Sequence, residues 1–141
     1  MIKLIIFDFD GPLRRVTPVR RFEAYREIAR ELKAKKDWGE DSLESFNRWV
    51  NVDYDTNLLR MGILTSQGKY LAEEVFKNYL NKDGLYPELK SILPLISIKK
   101  KLTILTNGPV RSVFSLFPDA NLIFSRVLGK EDLHGFEKPN P

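Results

Sequence analysis

The opening run MIKLIIFDFDGPL constrains the fold more than any other stretch of the chain. Ile2, Leu4, Ile5, Ile6 and Phe7 form a continuous β-prone block, the pattern of a strand buried on both faces. Gly11 and Pro12 then end it. Residues two apart on a strand point to the same side, so Asp8 and Asp10 share a side while Phe9 turns away. Two carboxylates about 4 Å apart repel by about 4 kcal/mol at an intermediate effective dielectric. A cation or a shared proton would compensate that repulsion, and a solvated acidic turn is the simpler alternative.

A second strand–helix pattern lies far downstream. KLTILTNGP reads as a short apolar strand ending in Thr106 and Asn107, followed by a helix carrying Val110, Val113, Phe114 and Phe117. Before it, Pro87 starts a helix with Leu89, Ile92, Leu93 and Ile96, and Pro94 marks a kink or an end. A third apolar run, Leu122-Ile123-Phe124, reads as a strand that leads into the loop ending at HGFEKPNP. Strand, helix, strand, helix, strand at this spacing predicts an α/β fold with a Rossmann-like parallel sheet wound with helices. Between the first strand and this region lies a helical stretch, residues 16–83. Phe22, Tyr25, Ile28, Ala29 and Leu32 recur at helical spacing from Val19 to Lys36. Asp41 and Glu44 resemble a capping box, and a further helix carries Leu71, Val75, Phe76, Tyr79 and Leu80. Its aromatic stripes read as core. The domain boundaries are therefore 1–15 and 84–141 for the α/β core, with 16–83 inserted.

Composition excludes several classes of function. The 141 residues include no cysteine, which rules out disulfides and thiolate chemistry, and one histidine, His134, which rules out a multi-His metal site. No apolar run approaches a membrane span, and a cytoplasmic protein is the default expectation. The net charge of +4 is dispersed: Glu27 and Glu31 lie three or four positions from Arg30 and Lys35, the spacing of a salt-bridged helix surface. No nucleic-acid motif accompanies that charge, so no nucleic-acid partner is expected.

In open α/β sheets, ligands bind at the carboxyl ends of the strands. The residues expected there are Asp8, Asp10, Thr106, Asn107 and, from the last loop, Lys138. An aspartate can bind a divalent metal and attack an electrophile. A second can pass a proton to a leaving oxygen. A threonine at a helix N-terminus and a lysine suit an anion. Together they suit phosphoryl transfer, which depends on positioning and electrostatics.

IIFDFDGPL, LTILTNGP and Lys138-Pro139, in that order, resemble the motifs of the haloacid dehalogenase-like superfamily of hydrolases, chiefly phosphatases. The resemblance covers the core, and the insertion sits where family members carry a cap of the type called C1. It implies an Mg²⁺-dependent phosphohydrolase acting on a small phosphomonoester through an aspartyl-phosphate. Asp8 is then the nucleophile and a metal ligand. Asp10 is the general acid/base and gives a backbone carbonyl to Mg²⁺. Thr106 and Lys138 bind the phosphoryl group, and Asn107 shapes the pocket. Dehalogenases of the family lack the second acid, so Asp10 points to a phosphatase. Pro12 stands where the family usually has Thr or Val. The family's fourth motif, a further metal-binding carboxylate on a later strand, has no counterpart before Pro141. The C-terminal strands of the core are accordingly expected to be missing, with weak metal binding. The first strand would be left as an apolar edge that invites self-association. Glu131 and Asp132 precede Lys138 and are not expected to replace the missing acid. The alternative reading is an impaired or truncated phosphate-binding module without turnover.

Overall fold

The opening apolar block forms strand β1 (Leu4–Phe7). In chain order there follow α1 (Pro18–Glu31), α2 (Leu43–Trp49), α3 (Tyr54–Arg60), α4 (Ser66–Leu80), α5 (Leu89–Ser97), β2 (Lys101–Leu105), α6 (Val110–Leu116), α7 (Ala120–Ile123) and β3 (Arg126–Leu128). The computed structural model describes residues 2–51 and 53–133, so His134 and Lys138 lie outside the described residues. None of the described helices is long and apolar enough to cross a membrane. The chain divides into two units, one built from the described residues up to Arg15 and from Asp83 onward, the other from Val16–Lys82.

The first unit is an α/β layer structure. Among the described residues its three strands pair in parallel in the order β1-β2-β3. Leu4 to Phe7 register with Lys101 to Ile104, and Thr103 to Leu105 with Arg126 to Leu128. Central β2 buries Leu102, Thr103 and Ile104, as a strand paired on both sides should. Leu93, Val113, Ala120 and Phe124 close a core with Phe9, Leu13, Leu102 and Ile104. Helix α5 runs on past Pro94 to Ser97, whose hydroxyl donates to the Pro94 carbonyl at 2.7 Å.

Two expectations change here. The first strand is not buried on both faces. Ile2, Leu4 and Ile6 are 68, 47 and 56% exposed, while Ile5 and Phe7 face the core. An unbroken apolar run reads alike for a central and an edge strand, and among the described residues β1 pairs on one side only. Nor is Leu122-Ile123-Phe124 a strand. Ala120 and Phe124, four apart, are both buried while Leu122 is 83% exposed, which is the period of a helix. The third strand begins two residues later. Both the backbone N–H and the hydroxyl of Ser125 donate to the Leu102 carbonyl, at 2.8 and 2.9 Å, and lead the chain into it.

The second unit is helical. Thr17 caps α1 through a bond from the Arg20 N–H, with Pro18 at the first helical position. The helix stops short of Lys36: Lys33 takes a left-handed φ of 52°, and the Ala34 N–H reaches back to the Ala29 carbonyl at 3.0 Å. Ser42, not Asp41, caps α2, while Asp41 pairs with Arg26 and Lys36 at 3.2 and 3.3 Å. Helix α3, which the sequence pattern did not reveal, starts from Asp53, whose carboxylate accepts from the N–H groups of Asp55 and Thr56. Phe22, Tyr25, Trp38 and Phe46 form the centre of an aromatic core.

Candidate functional site

Parallel pairing brings the carboxyl ends of β1 and β2 to one edge of the sheet. Asp8 follows the register pair Phe7↔Ile104 directly, and Thr106 follows the last residue of β2. The chain then turns back on itself within a few residues. Phe9 is buried at 1% exposure, which leaves Asp8 and Asp10, its two neighbours, partly exposed. Asp8 Oδ1 accepts from the Phe9 N–H at 2.7 Å. The Leu13 and Arg14 N–H groups both donate to the Phe9 carbonyl, and the Gly11 N–H to the Arg14 carbonyl at 2.9 Å. Gly11 takes a φ of +96°, a conformation that a side chain would strain.

This tight turn carries Arg14 back over Asp10. Its Nε and Nη2 each lie 2.6 Å from Asp10 Oδ1. The Arg14 side chain is 4% exposed and that of Asp10 32%. The guanidinium carbon lies 4.9 Å from the centre of the Phe9 ring. Sequence reading assigned Asp10 but missed Arg14. The available signal was a four-residue separation across Gly-Pro, which permits a turn but does not specify one.

At the end of β2, Thr106 is buried at 3% exposure, and its N–H donates to the Leu128 carbonyl at 3.0 Å. Its Oγ1 accepts from the Gly108 N–H at 3.1 Å, and Asn107 is exposed beside it. The loop after β3 is stitched onto this one. The Lys130 N–H donates to the Gly108 carbonyl at 3.0 Å, and Glu131 accepts from the Val110 N–H at 3.1 and 3.3 Å. Asp132 Oδ2 accepts from the Gly129 N–H at 2.9 Å. Gly129 is required here, because a Cβ would lie 2.7 Å from the Val110 nitrogen and 2.8 Å from the Gly108 oxygen. Glu131 and Asp132 thus hold the loops together. Asp8, Asp10, Thr106 and Asn107 belong to one unit and follow adjacent strands; Lys138 lies outside the described residues.

Among the described residues no three His, Cys, Asp or Glu side chains cluster to hold a metal. Mg²⁺ does not require such a cluster. It commonly uses one or two carboxylates, keeps several waters and takes substrate phosphate for the rest. The Asp8 carboxylate and the Asp10 carbonyl are hard oxygen donors of the right kind, while the Asp10 carboxylate is engaged by Arg14. The donor chemistry fits Mg²⁺. A cavity of about 500 Å³ lies elsewhere, at the amino-terminal end of β1 and β2, between Ile2, Lys3 and residues Ser97 to Lys101.

No family model and no curated protein matches the sequence. Solved structures do match in fold. A Thermotoga maritima protein named as a β-phosphoglucomutase superposes with a TM-score of 0.66 at 22% identity, over 99% of this chain and 66% of that one. The Bacillus subtilis hydrolase YfnB of the haloacid dehalogenase superfamily, solved with bound magnesium, matches at 0.56 and 19% identity, over 99% and 69%. A 2-haloacid dehalogenase from Pseudomonas syringae matches at 0.52 and 23% identity, over 94% and 66%. The chain has the haloacid dehalogenase-like fold. It spans about two thirds of the length of these structures.

Proposed function

We propose that the protein is a phosphohydrolase that acts on a small phosphomonoester through an aspartyl-phosphate. The observation that carries this reading is the placement of Asp8 and Asp10 immediately after β1 with Thr106 immediately after its parallel neighbour β2. The fold shared with a hydrolase of the haloacid dehalogenase superfamily supports it. A carboxylate oxygen of Asp8 attacks phosphorus, and the bond from phosphorus to the ester oxygen breaks. Asp10 gives its proton to that departing oxygen, so an alcohol leaves and Asp8 carries the phosphoryl group. Water then attacks phosphorus, Asp10 takes its proton back, and the bond to Asp8 breaks to release inorganic phosphate. Thr106, Asn107 and Lys138 hold the phosphoryl oxygens. The Asp8 carboxylate and Asp10 carbonyl would hold Mg²⁺, which when bound offsets phosphate charge. The helical unit, residues 16–83, serves as the cap.

The test is phosphate release from a panel of phosphomonoesters, with Mg²⁺ and with excess chelator. Release that depends on Mg²⁺ is expected. Saturable phosphate binding with no release from any ester would contradict turnover and leave a phosphate-binding module instead.

A further inference from the structure

We infer that Arg14 is a positioning residue for Asp10, fixing which carboxylate oxygen faces the ester oxygen of the substrate. This rests on the phosphohydrolase reading. Two contacts from the guanidinium to Asp10, from Nε and from Nη2, fall at 2.6 Å on one atom, Oδ1. An arginine that merely neutralised a carboxylate would commonly span both oxygens in a fork. Here the two close approaches of the guanidinium meet on Oδ1, on a side chain that remains one-third exposed.

The guanidinium is itself held in place. It is buried, it lies 4.9 Å from the Phe9 ring centre, and its backbone is bonded to Phe9 and Gly11 within the turn. Arg14 also bridges to Leu85, and the neighbouring Arg15 N–H donates to the Gly84 carbonyl at 3.0 Å. The turn is thus tied to the segment that leads into α5. A hydrogen bond and a second close contact on one oxygen, from a group fixed on several sides, restrict rotation of the Asp10 carboxylate. Oδ2 is thereby presented as the atom that gives and takes the proton. A general acid must lie within hydrogen-bond reach of the atom it protonates, so such restriction acts on the chemical step.

The experiment compares the full-length protein with Arg14→Gln and Arg14→Lys under saturating Mg²⁺. It uses glycerol 2-phosphate as a poor leaving group and p-nitrophenyl phosphate as a good one. The readout is kcat/KM, which covers steps up to phosphoryl transfer. A freed Asp10 should lower kcat/KM about 10²-fold on the alkyl ester but only about 3-fold or less on the aryl ester, which needs little proton transfer. Arg14→Lys keeps the charge but lacks the fork, so it should fold like the parent and still show the leaving-group-dependent loss. Equal losses on both esters, or none in either variant, would overturn the role of Arg14 while leaving the phosphohydrolase reading intact. A parent that releases phosphate from neither ester would overturn that reading and the role of Arg14 with it.

Discussion

At the scale of single residues, the Asp10–Arg14 pair joins the proposed function to stability. Asp10→Asn, the obvious probe of a proton donor, also removes the counter-charge that Arg14 has at 2.6 Å. Breaking a fully buried pair from one side commonly costs about 3–5 kcal/mol, and screening at the one-third-exposed Asp10 reduces this to about 1–3 kcal/mol. Urea unfolding of the parent, Asp10→Asn, Arg14→Met and the double variant should therefore show a coupling of at least about 1 kcal/mol. Additive losses would mean that the two side chains do not stabilise one another. Turnover by Asp10→Asn is accordingly to be measured well below its melting temperature. Asp8 accepts from its neighbouring N–H in the same turn. Its replacement is expected to remove turnover through chemistry.

At the scale of elements, the helical unit carries a pH dependence of its own. Tyr25 is buried against Phe46, Trp49 and Phe76, and its hydroxyl accepts from the Asn57 side chain at 2.9 Å. Burial pushes its phenol well above the ordinary tyrosine range, although the Asn57 bond acts in the opposite direction. Tyr54 is half-buried with its hydroxyl shielded from solvent, and its phenol is raised by burial first and then by the neighbouring Tyr25, Glu73 and Asp55. The unfolded chain loses these protons near pH 10, whereas the folded chain keeps them to higher pH. Above about pH 10 the unfolded state thus binds fewer protons, and stability falls as pH rises toward the folded-state values. Helical circular dichroism and tyrosinate absorbance should change together in an alkaline titration, and Tyr54→Phe should move that transition upward. Ionisation of every tyrosine near pH 10 with the helices intact would contradict the burial argument.

The elements also show where sequence reading stops. The alternation around Phe9 agrees with the burial of Phe9 between two partly exposed aspartates, because a period of two survives the end of a strand. The apolar run of β1 by itself suits a central or an edge strand, so the exposure of Leu4 and Ile6 was legible only as the apolar edge that the motif resemblance implied. The apolar triplet at 122–124 was too short to distinguish a period of two from one of 3.6, and its neighbours Ala120 and Phe124 decided the matter. Arg14 and Glu131 find their partners only through turns whose geometry the local sequence permits without requiring.

At the scale of the whole molecule, the apolar row Ile2, Leu4 and Ile6 on β1 predicts concentration-dependent association. In sedimentation velocity, Leu4→Thr with Ile6→Thr should shift the chain toward monomer. An unchanged distribution would locate any association elsewhere. The central claim, that Asp8 becomes phosphorylated during turnover, has a more direct test. The protein is mixed with a substrate that it hydrolyses, quenched in acid within the first turnover and digested, and the opening peptide is analysed by mass spectrometry. The account predicts one phosphoryl group on Asp8, and none after Asp8→Asn, with phosphate release lost in that variant. Release by Asp8→Asn at the parent rate, or a phosphoryl group carried on a different residue, would contradict it.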